Sequence, residues 1–255
     1  MEAAESNQRA GKKGDDLTNL TGAERAEYVR AMFTRIAQRY DLMNRIMTVG
    51  QDMRWRREVI RIAELPPQGR LLDLGAGTGD LAREASRQYP GCKTVAADFT
   101  LPMMLLGRQR DSLLEAQEKH LYWSAADACS LPFPEKTFEA VISGFLLRNV
   151  IDLRKSLSEQ YRVLKPGGKI VILDTTPPAR SIFEPAVNFY LHRVIPFLGR
   201  ILAGQSEAYH YLPESTQRFL EPEQLAMRLY ETGFCSIGFR RYMFGSIAIH
   251  WGQRP

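Results

Sequence analysis

Leu71-Leu72-Asp73-Leu74-Gly75-Ala76-Gly77-Thr78-Gly79-Asp80 decides how the rest of the chain is read. An apolar run enters three glycines at alternate positions, and a helical pattern follows. Glycine permits the tight turn and lets a ligand approach the backbone closely. The helix start beyond it offers N–H groups with no partner inside the helix. Working outward, short apolar runs alternate with helical segments: RLLDL at 70–74, KTVAAD at 93–98, HLYWSA at 120–125, FEAVIS at 138–143 and KIVILD at 169–174. That alternation predicts an α/β fold, a doubly wound and mostly parallel sheet with helices on both faces. Strands buried on both faces explain why AVIS and IVIL are continuously apolar. FCSIGFRRY at 234–242 and FGSIAIHWG at 244–252 are joined by so short a link that an antiparallel hairpin is expected.

Residues 1–20 are polar and read as a disordered tail. From Thr21 a helical pattern carries Tyr28, Met32, Phe33, Ile36 and Tyr40, and a second, through Trp55, Val59 and Ile62, ends at Pro66-Pro67. Residues 21–255 read as one domain, with the aromatic stretch 177–220, opened by Pro177-Pro178, as a helical cap inserted into it. The 255 residues are 44% hydrophobic and 25% charged, which excludes disorder throughout and a low-complexity chain. Cys92, Cys129 and Cys235 are odd in number and lack CxxC spacing, so neither a disulfide framework nor a metal site is expected. A reduced, cytoplasmic setting fits them. There is neither a run of membrane-spanning length nor a signal-peptide core. The net charge of +5 is the balance of 34 basic and 29 acidic residues. It reads as a solvated surface first, a membrane surface second and nucleic acid last.

A dinucleotide loop of the GxGxxG type would place its third glycine at position 80, where this chain has Asp80. An aspartate suits a cation there, and S-adenosylmethionine carries a sulfonium and an ammonium without a phosphate. Asp98 ends the second strand 23 residues beyond Gly75, where a carboxylate accepts both ribose hydroxyls. Phe99 beside it is placed to pack on an adenine, and Asp127, after the third strand, to accept from the adenine amino group.

These residues, Asp73-x-Gly75-x-Gly77-x-Gly79 with Asp98 and Asp127, resemble class I S-adenosylmethionine-dependent methyltransferases. Tyr40-Asp41-Leu42-Met43-Asn44, Leu147-Arg148-Asn149-Val150, Arg162-Val-Leu-Lys-Pro-Gly-Gly168, Tyr209-His-Tyr-Leu-Pro-Glu-Ser215 and the ending Gly245–Gly252 narrow the resemblance to the ubiquinone/menaquinone biosynthesis C-methyltransferases, from about Phe33 onward. The chain departs from that pattern at Thr48 and Asp52, where the family has serine and histidine, at Asp174 and Thr176, and at Gly144. The resemblance implies a Rossmann-like sheet and S-adenosylmethionine held by Asp73, Gly75, Gly77, Thr78, Gly79, Asp98, Phe99, Asp127, Ala128 and Gly144. It implies methyl transfer to a ring carbon of a demethylated isoprenoid quinol, demethylmenaquinol foremost, with Arg148, Asn149, Tyr40 and His210 as catalytic residues and Tyr209 and Tyr211 lining the quinol pocket. His192 and His250 read as packed histidines.

The departures leave open another lipophilic or phenolic substrate, and a catalytically silent binding module is the reading from a different class. Further partners to consider are a membrane surface, in peripheral contact at its inner face, and a second copy of the chain. Residues 181–204 carry Phe183, Val187, Tyr190, Val194, Phe197 and Ile201 at helical spacing, with His192, Arg193 and Arg200 among them. Such a stretch is either an interfacial segment or a core helix pair broken at Pro196.

Overall fold

A computed structural model describes residues 22–113, 120–178, 184–198 and 206–255. The expected tail, Thr21, Phe183, Arg200 and Ile201 lie outside them. The strands are β1 (Arg70–Leu74), β2 (Lys93–Asp98), β3 (Leu121–Ala125), β4 (Phe138–Gly144), β5 (Leu164–Thr175), β6 (Cys235–Tyr242) and β7 (Ile247–Gln253). They form one sheet in the order β3-β2-β1-β4-β5-β7-β6. The first five strands run parallel, while β7 pairs antiparallel with both β5 and β6. Strand order reverses between β1 and β4, and the crevice outside the carboxyl ends of such neighbours is where open α/β sheets bind ligands.

Alternate residues of the central strands enter two different cores. Leu72, Leu74, Val141, Ile170 and Ile172 pack with Leu157, Leu225 and Leu229 on one face. Leu71, Ala140, Ile142, Val171 and Leu173 pack with Trp55, Val59, Leu81 and Ala85 on the other. The continuous apolar runs are thus two interleaved period-two patterns, one for each face. The helices on the sheet are α3 (Asp52–Ala63), α4 (Asp80–Gln88), α5 (Leu101–Leu113), α6 (Leu153–Val163) and α10 (Pro222–Thr232). Their ends follow local chemistry. The Asp152 carboxylate caps α6 by accepting from the Lys155 N–H at 2.9 Å. A capping box of Glu221 and Gln224 with Pro222 opens α10, and Gly233 at φ +106° closes it.

A third core lies apart from these two. The N-terminal helices α1 (Gly22–Ile36) and α2 (Tyr40–Met47) share it with the cap, where α7 (Glu184–Phe189), a π-turn (Tyr190–Val194), α8 (Ile195–Leu198) and α9 (Ser206–Arg218) are found. Val29, Met32, Ile36, Met43, Met47, Ile195 and Tyr211 form its centre. The single helical pattern expected from Tyr28 through Tyr40 is corrected: α1 ends at Ile36, and the Arg39 N–H bonds back to the Ile36 carbonyl at 2.9 Å. No glycine or proline marks that break, and the apolar spacing runs through it because Tyr40 rejoins the same cluster. In the cap, the helix is interrupted at the π-turn just before Pro196, consistent with the backbone N–H that proline lacks.

Candidate active site

β1 delivers the glycine loop to the crevice. Gly75, Gly77 and Gly79 take φ of +70°, +57° and +88°, values that side chains with a Cβ rarely adopt. Gly79 is the N-cap of α4. Asp98, at the end of β2, fixes this loop from the side. Its Oδ2 accepts from the Gly77 N–H at 2.7 Å and its Oδ1 from the Thr100 N–H at 2.6 Å. Burial raises the Asp98 carboxyl above its ordinary value, and those N–H bonds oppose the shift. Each oxygen keeps a second lone pair for a ribose hydroxyl.

A cleft open to solvent gathers the loop with residues from far along the chain. Asp73, Gly75, Gly77, Thr78, Asp98, Phe99, Asp127, Ala128 and Gly144 line it, as do Tyr40 and Asn149. Gly79 caps the helix beneath, where an added Cβ would meet the Trp123 ring at 2.7 Å. Gly144 is equally confined, with Leu81 Cδ1 2.8 Å from its would-be Cβ. Asp127 accepts from the Cys129 N–H through Oδ1 at 2.8 Å, an Asx turn at the cleft edge.

The acids there favour a cation. Asp73 is fully buried, its Oδ2 accepts from the Ala82 N–H at 3.0 Å, and its Oδ1 has no partner. Burial pushes the Asp73 carboxyl up to about 7. An incoming ammonium would satisfy the orphaned oxygen and reverse that shift. Acid-lined walls, the glycine turn and the ribose-ready Asp98 fit S-adenosylmethionine. Asp80 also lines the cleft, paired within the protein. It lies 2.8 Å from Arg83 and 3.5 Å from Arg56. Burial works against its charge, yet the two guanidinium groups hold its carboxyl below the ordinary value.

Tyr40 enters the cleft from α2 and meets Phe33 edge-on at 5.6 Å. Burial raises its phenol above the ordinary value, opposed by Arg148 and Asn44. Asn149 donates to the Phe145 carbonyl at 3.0 Å and accepts from the Tyr211 hydroxyl at 3.0 Å, so its amide is held by protein groups on both sides. Arg148 does not line this cleft, contrary to the expected direct contact. Its Nη1 is 2.5 Å from Asp174 Oδ1 in a buried ion pair, and its guanidinium lies 5.5 Å from the Phe145 ring centre. It faces a second cavity with Tyr211, and its buried Nε has no partner. The side chains of Tyr209 and His210, on α9, lie outside the described residues.

The sequence profile of the ubiE/COQ5 methyltransferase family matches residues 21–254. The chain belongs to that family. It is 47% identical over 226 residues to the ubiquinone/menaquinone biosynthesis C-methyltransferase of Desulfotalea psychrophila, covering 89% of this chain and 90% of that one. The demethylmenaquinone methyltransferase of Thermus thermophilus is 43% identical over 88% of this chain and the whole of the relative. Among solved structures, the [4+2]-cyclase SpnF superposes with a TM-score of 0.66 at 16% identity, covering 89% of this chain and 95% of that one. Phosphoethanolamine N-methyltransferase 2 of Haemonchus contortus, in complex with S-adenosyl-L-methionine, superposes at 0.59 and 17%, covering 79% of this chain and 52% of that one. These two likenesses carry the fold alone.

Of the departures from the expected ubiE/COQ5 pattern, Thr48, Asp52 and Asp174 sit in buried polar contacts. Asp52, in the place of a histidine, is wholly buried, ion-paired with Arg56 and bonded by the Thr48 hydroxyl at 3.1 Å. Asp174 serves Arg148. His250 is packed on β7, its Nε2 3.0 Å from the Pro222 carbonyl, and burial pushes it down to about 4. His192 is exposed, 2.7 Å from the Gln217 amide. Asp41, Arg56 and Phe145 are among the cleft residues to which no site role was assigned from sequence. Asp41 stood inside the YDLMN motif and could have been found there. Phe145, a bulky residue at φ +59° directly after β4, had no sequence signal.

Proposed function

We propose that this chain methylates a ring carbon of a demethylated isoprenoid quinol, with demethylmenaquinol as the first substrate and S-adenosylmethionine as the methyl donor. The observation that carries this reading is that Tyr40, from the YDLMN motif, and Asn149, from LRNV, line the same cleft as the glycine loop and Asp98. The relatives named for demethylmenaquinone support the quinol assignment.

S-adenosylmethionine, when bound, supplies an electrophilic methyl group on a sulfonium. The protein's task is to place a nucleophilic carbon in line with it and exclude water. Asp98 would take the ribose hydroxyls, Asp73 the ammonium, and Asp127 with Phe99 the adenine. Thr78, Ala128 and Gly144 complete the walls. Tyr40, neutral because its phenol is raised, donates a hydrogen bond to the ring oxygen. The Arg148 charge, which opposes the rise of the Tyr40 phenol, would favour the phenolate of a quinol hydroxyl bound against Tyr40, and the phenolate makes the adjacent ring carbon nucleophilic. Asn149 holds the turn that separates the cleft from the second cavity. His210 on α9 is the candidate base by chemistry, since an ordinary histidine exchanges protons near neutral pH.

The substrate's tail makes a bilayer surface the second partner. Among the described residues no helix is long and apolar enough to cross a membrane. Phe189 and Phe197 of the cap are 63% and 62% exposed, with Arg193 between them, a pattern that supports interfacial contact. Replacing both phenylalanines with serine is expected to weaken vesicle co-sedimentation. Unchanged co-sedimentation of the folded variant removes the assignment. The function itself is tested by incubating the protein with S-adenosylmethionine and either demethylmenaquinol or a demethylated benzoquinol. Product gaining one methyl on carbon, faster with the naphthoquinol, is expected. No methylated product from either quinol refutes the reading.

A further inference from the structure

The lid formed by α1 and α2 is bonded to the body of the enzyme differently from the helices on the sheet. Its apolar side chains pack into the third core, with the cap, and not into either core of the sheet. Apart from Phe219 and Leu220 at the end of the cap, which pack on one sheet core, three joints between lid or cap and the sheet side are polar. Arg25 donates to the Arg148 carbonyl at 3.0 Å, Tyr211 to Asn149 at 3.0 Å, and the Thr216 and Thr175 hydroxyls meet at 2.9 Å. Such joints exchange for water at modest net cost, whereas parting a packed apolar core does not.

One of these joints lies on the glycine loop itself. The Asp41 carboxylate, in the first turn of α2, has its two oxygens 2.8 and 2.9 Å from the buried Thr78 hydroxyl, and it is ion-paired with Arg110 of α5. Its side chain is 11% exposed. One carboxylate thus fastens three elements, lid, glycine loop and α5, at the rim of the cleft. Tyr40 is the next residue along, and Ala26, Val29 and Phe33 of α1 line the cleft beside it. A nucleoside ligand held by those residues and by Asp98 lies beside a rim that this carboxylate fastens.

We propose that Asp41 is the latch of the cleft. It pins the lid to Thr78 and Arg110, sets how fast the methyl donor is released, and positions Tyr40; it is a positioning residue and takes no part in the chemistry. This inference rests on the methyl-donor assignment above.

The test uses the full chain with Asp41→Asn, Arg110→Gln and the double variant. Donor release is followed by stopped-flow fluorescence of Trp123, whose ring packs against Gly79, as excess S-adenosylhomocysteine displaces S-adenosylmethionine. Each single variant should release the donor about tenfold faster, the loss of one charge-assisted bond. The double variant should be no faster than either, because both remove the same pair. Without ligand, amide hydrogen exchange in residues 22–47 should accelerate in Asp41→Asn while β1 and β4 keep parental rates. Unchanged release from both single variants overturns the latch. So does exchange that rises equally in the lid and in β1 and β4, which would mark Asp41 as a general stabiliser. A parent protein that binds no S-adenosylmethionine at all overturns the methyl-donor assignment and the latch together, whereas a parent that binds it and variants that hold it as long overturn the latch alone.

Discussion

Replacing Asp174 should cost more than replacing its partner Arg148. The pair is almost wholly buried, with side chains 2% and 6% exposed. In Asp174→Ala the guanidinium stays inside with its Nε already unpartnered and the Phe145 ring face beside it. Breaking a buried pair in this way costs about 3–5 kcal/mol. In Arg148→Met the carboxylate left behind still accepts from the Thr175 N–H at 2.8 Å and the Arg148 backbone N–H at 3.3 Å, and it can take up a proton. Its cost should be nearer the roughly 1–3 kcal/mol of an under-satisfied polar group. The double variant Arg148→Met with Asp174→Leu should recover much of the loss, with a coupling of roughly 1–3 kcal/mol. Urea unfolding of the four proteins measures each value. The same proteins separate stability from function. Because Arg148 lies outside the donor cleft, Arg148→Met should lose methyl transfer while its S-adenosylmethionine affinity, by calorimetry, stays close to the parent's. Equal costs for the two single variants, or a coupling below about 0.5 kcal/mol, would refute the reasoning about the pair. Normal turnover in Arg148→Met would remove Arg148 from the reaction.

Asp98→Ala should lower S-adenosylmethionine affinity at least about tenfold, through lost charge-assisted bonds, and should also lower the melting temperature by stranding the Gly77 and Thr100 N–H groups; calorimetry and melting curves identical to the parent's would contradict both parts. Asp73 titrates near 7 in the folded protein, so a bound ammonium must displace its proton below that pH. Donor affinity should then rise by up to about tenfold per pH unit until pH 7 and level off, and Asp73→Asn should flatten the profile. For stability the signs oppose. The folded Asp73 carboxyl is raised above its unfolded value, so its contribution is fully present below about pH 4 and is lost as pH climbs to 7. His250, pushed down to about 4, contributes stability above pH 6.5 that is lost as pH falls toward 4. Between those limits the two cancel in part, so Asp73→Asn should become more acid-sensitive and His250→Gln less, in urea titrations run from pH 4 to 7; parallel curves for all three proteins would count against the burial of either group.

Local pattern carried much of this protein in plain view. Strand runs such as AVIS and IVIL, the glycines at 75, 77 and 79 and the acid at 98 announce themselves because their roles depend on near neighbours: a two-residue strand period, a turn that only glycine tolerates and a fixed distance along one βαβ unit. The partners of the charges could not be read this way. Asp41 meets Thr78 and Arg110 across 37 and 69 residues, Arg148 meets Asp174 across 26, and Asp80, in the cleft wall, meets Arg56 of another helix. An ionic group has no periodicity to betray its partner. Its choice follows from which buried site lacks water, and that is settled only when the sheet, lid and cap come together. The break between Ile36 and Tyr40 was hidden for the same reason: both ends return to one apolar cluster, so the apolar spacing alone could not show that the chain had turned between them to bring Tyr40 and Asp41 to the cleft.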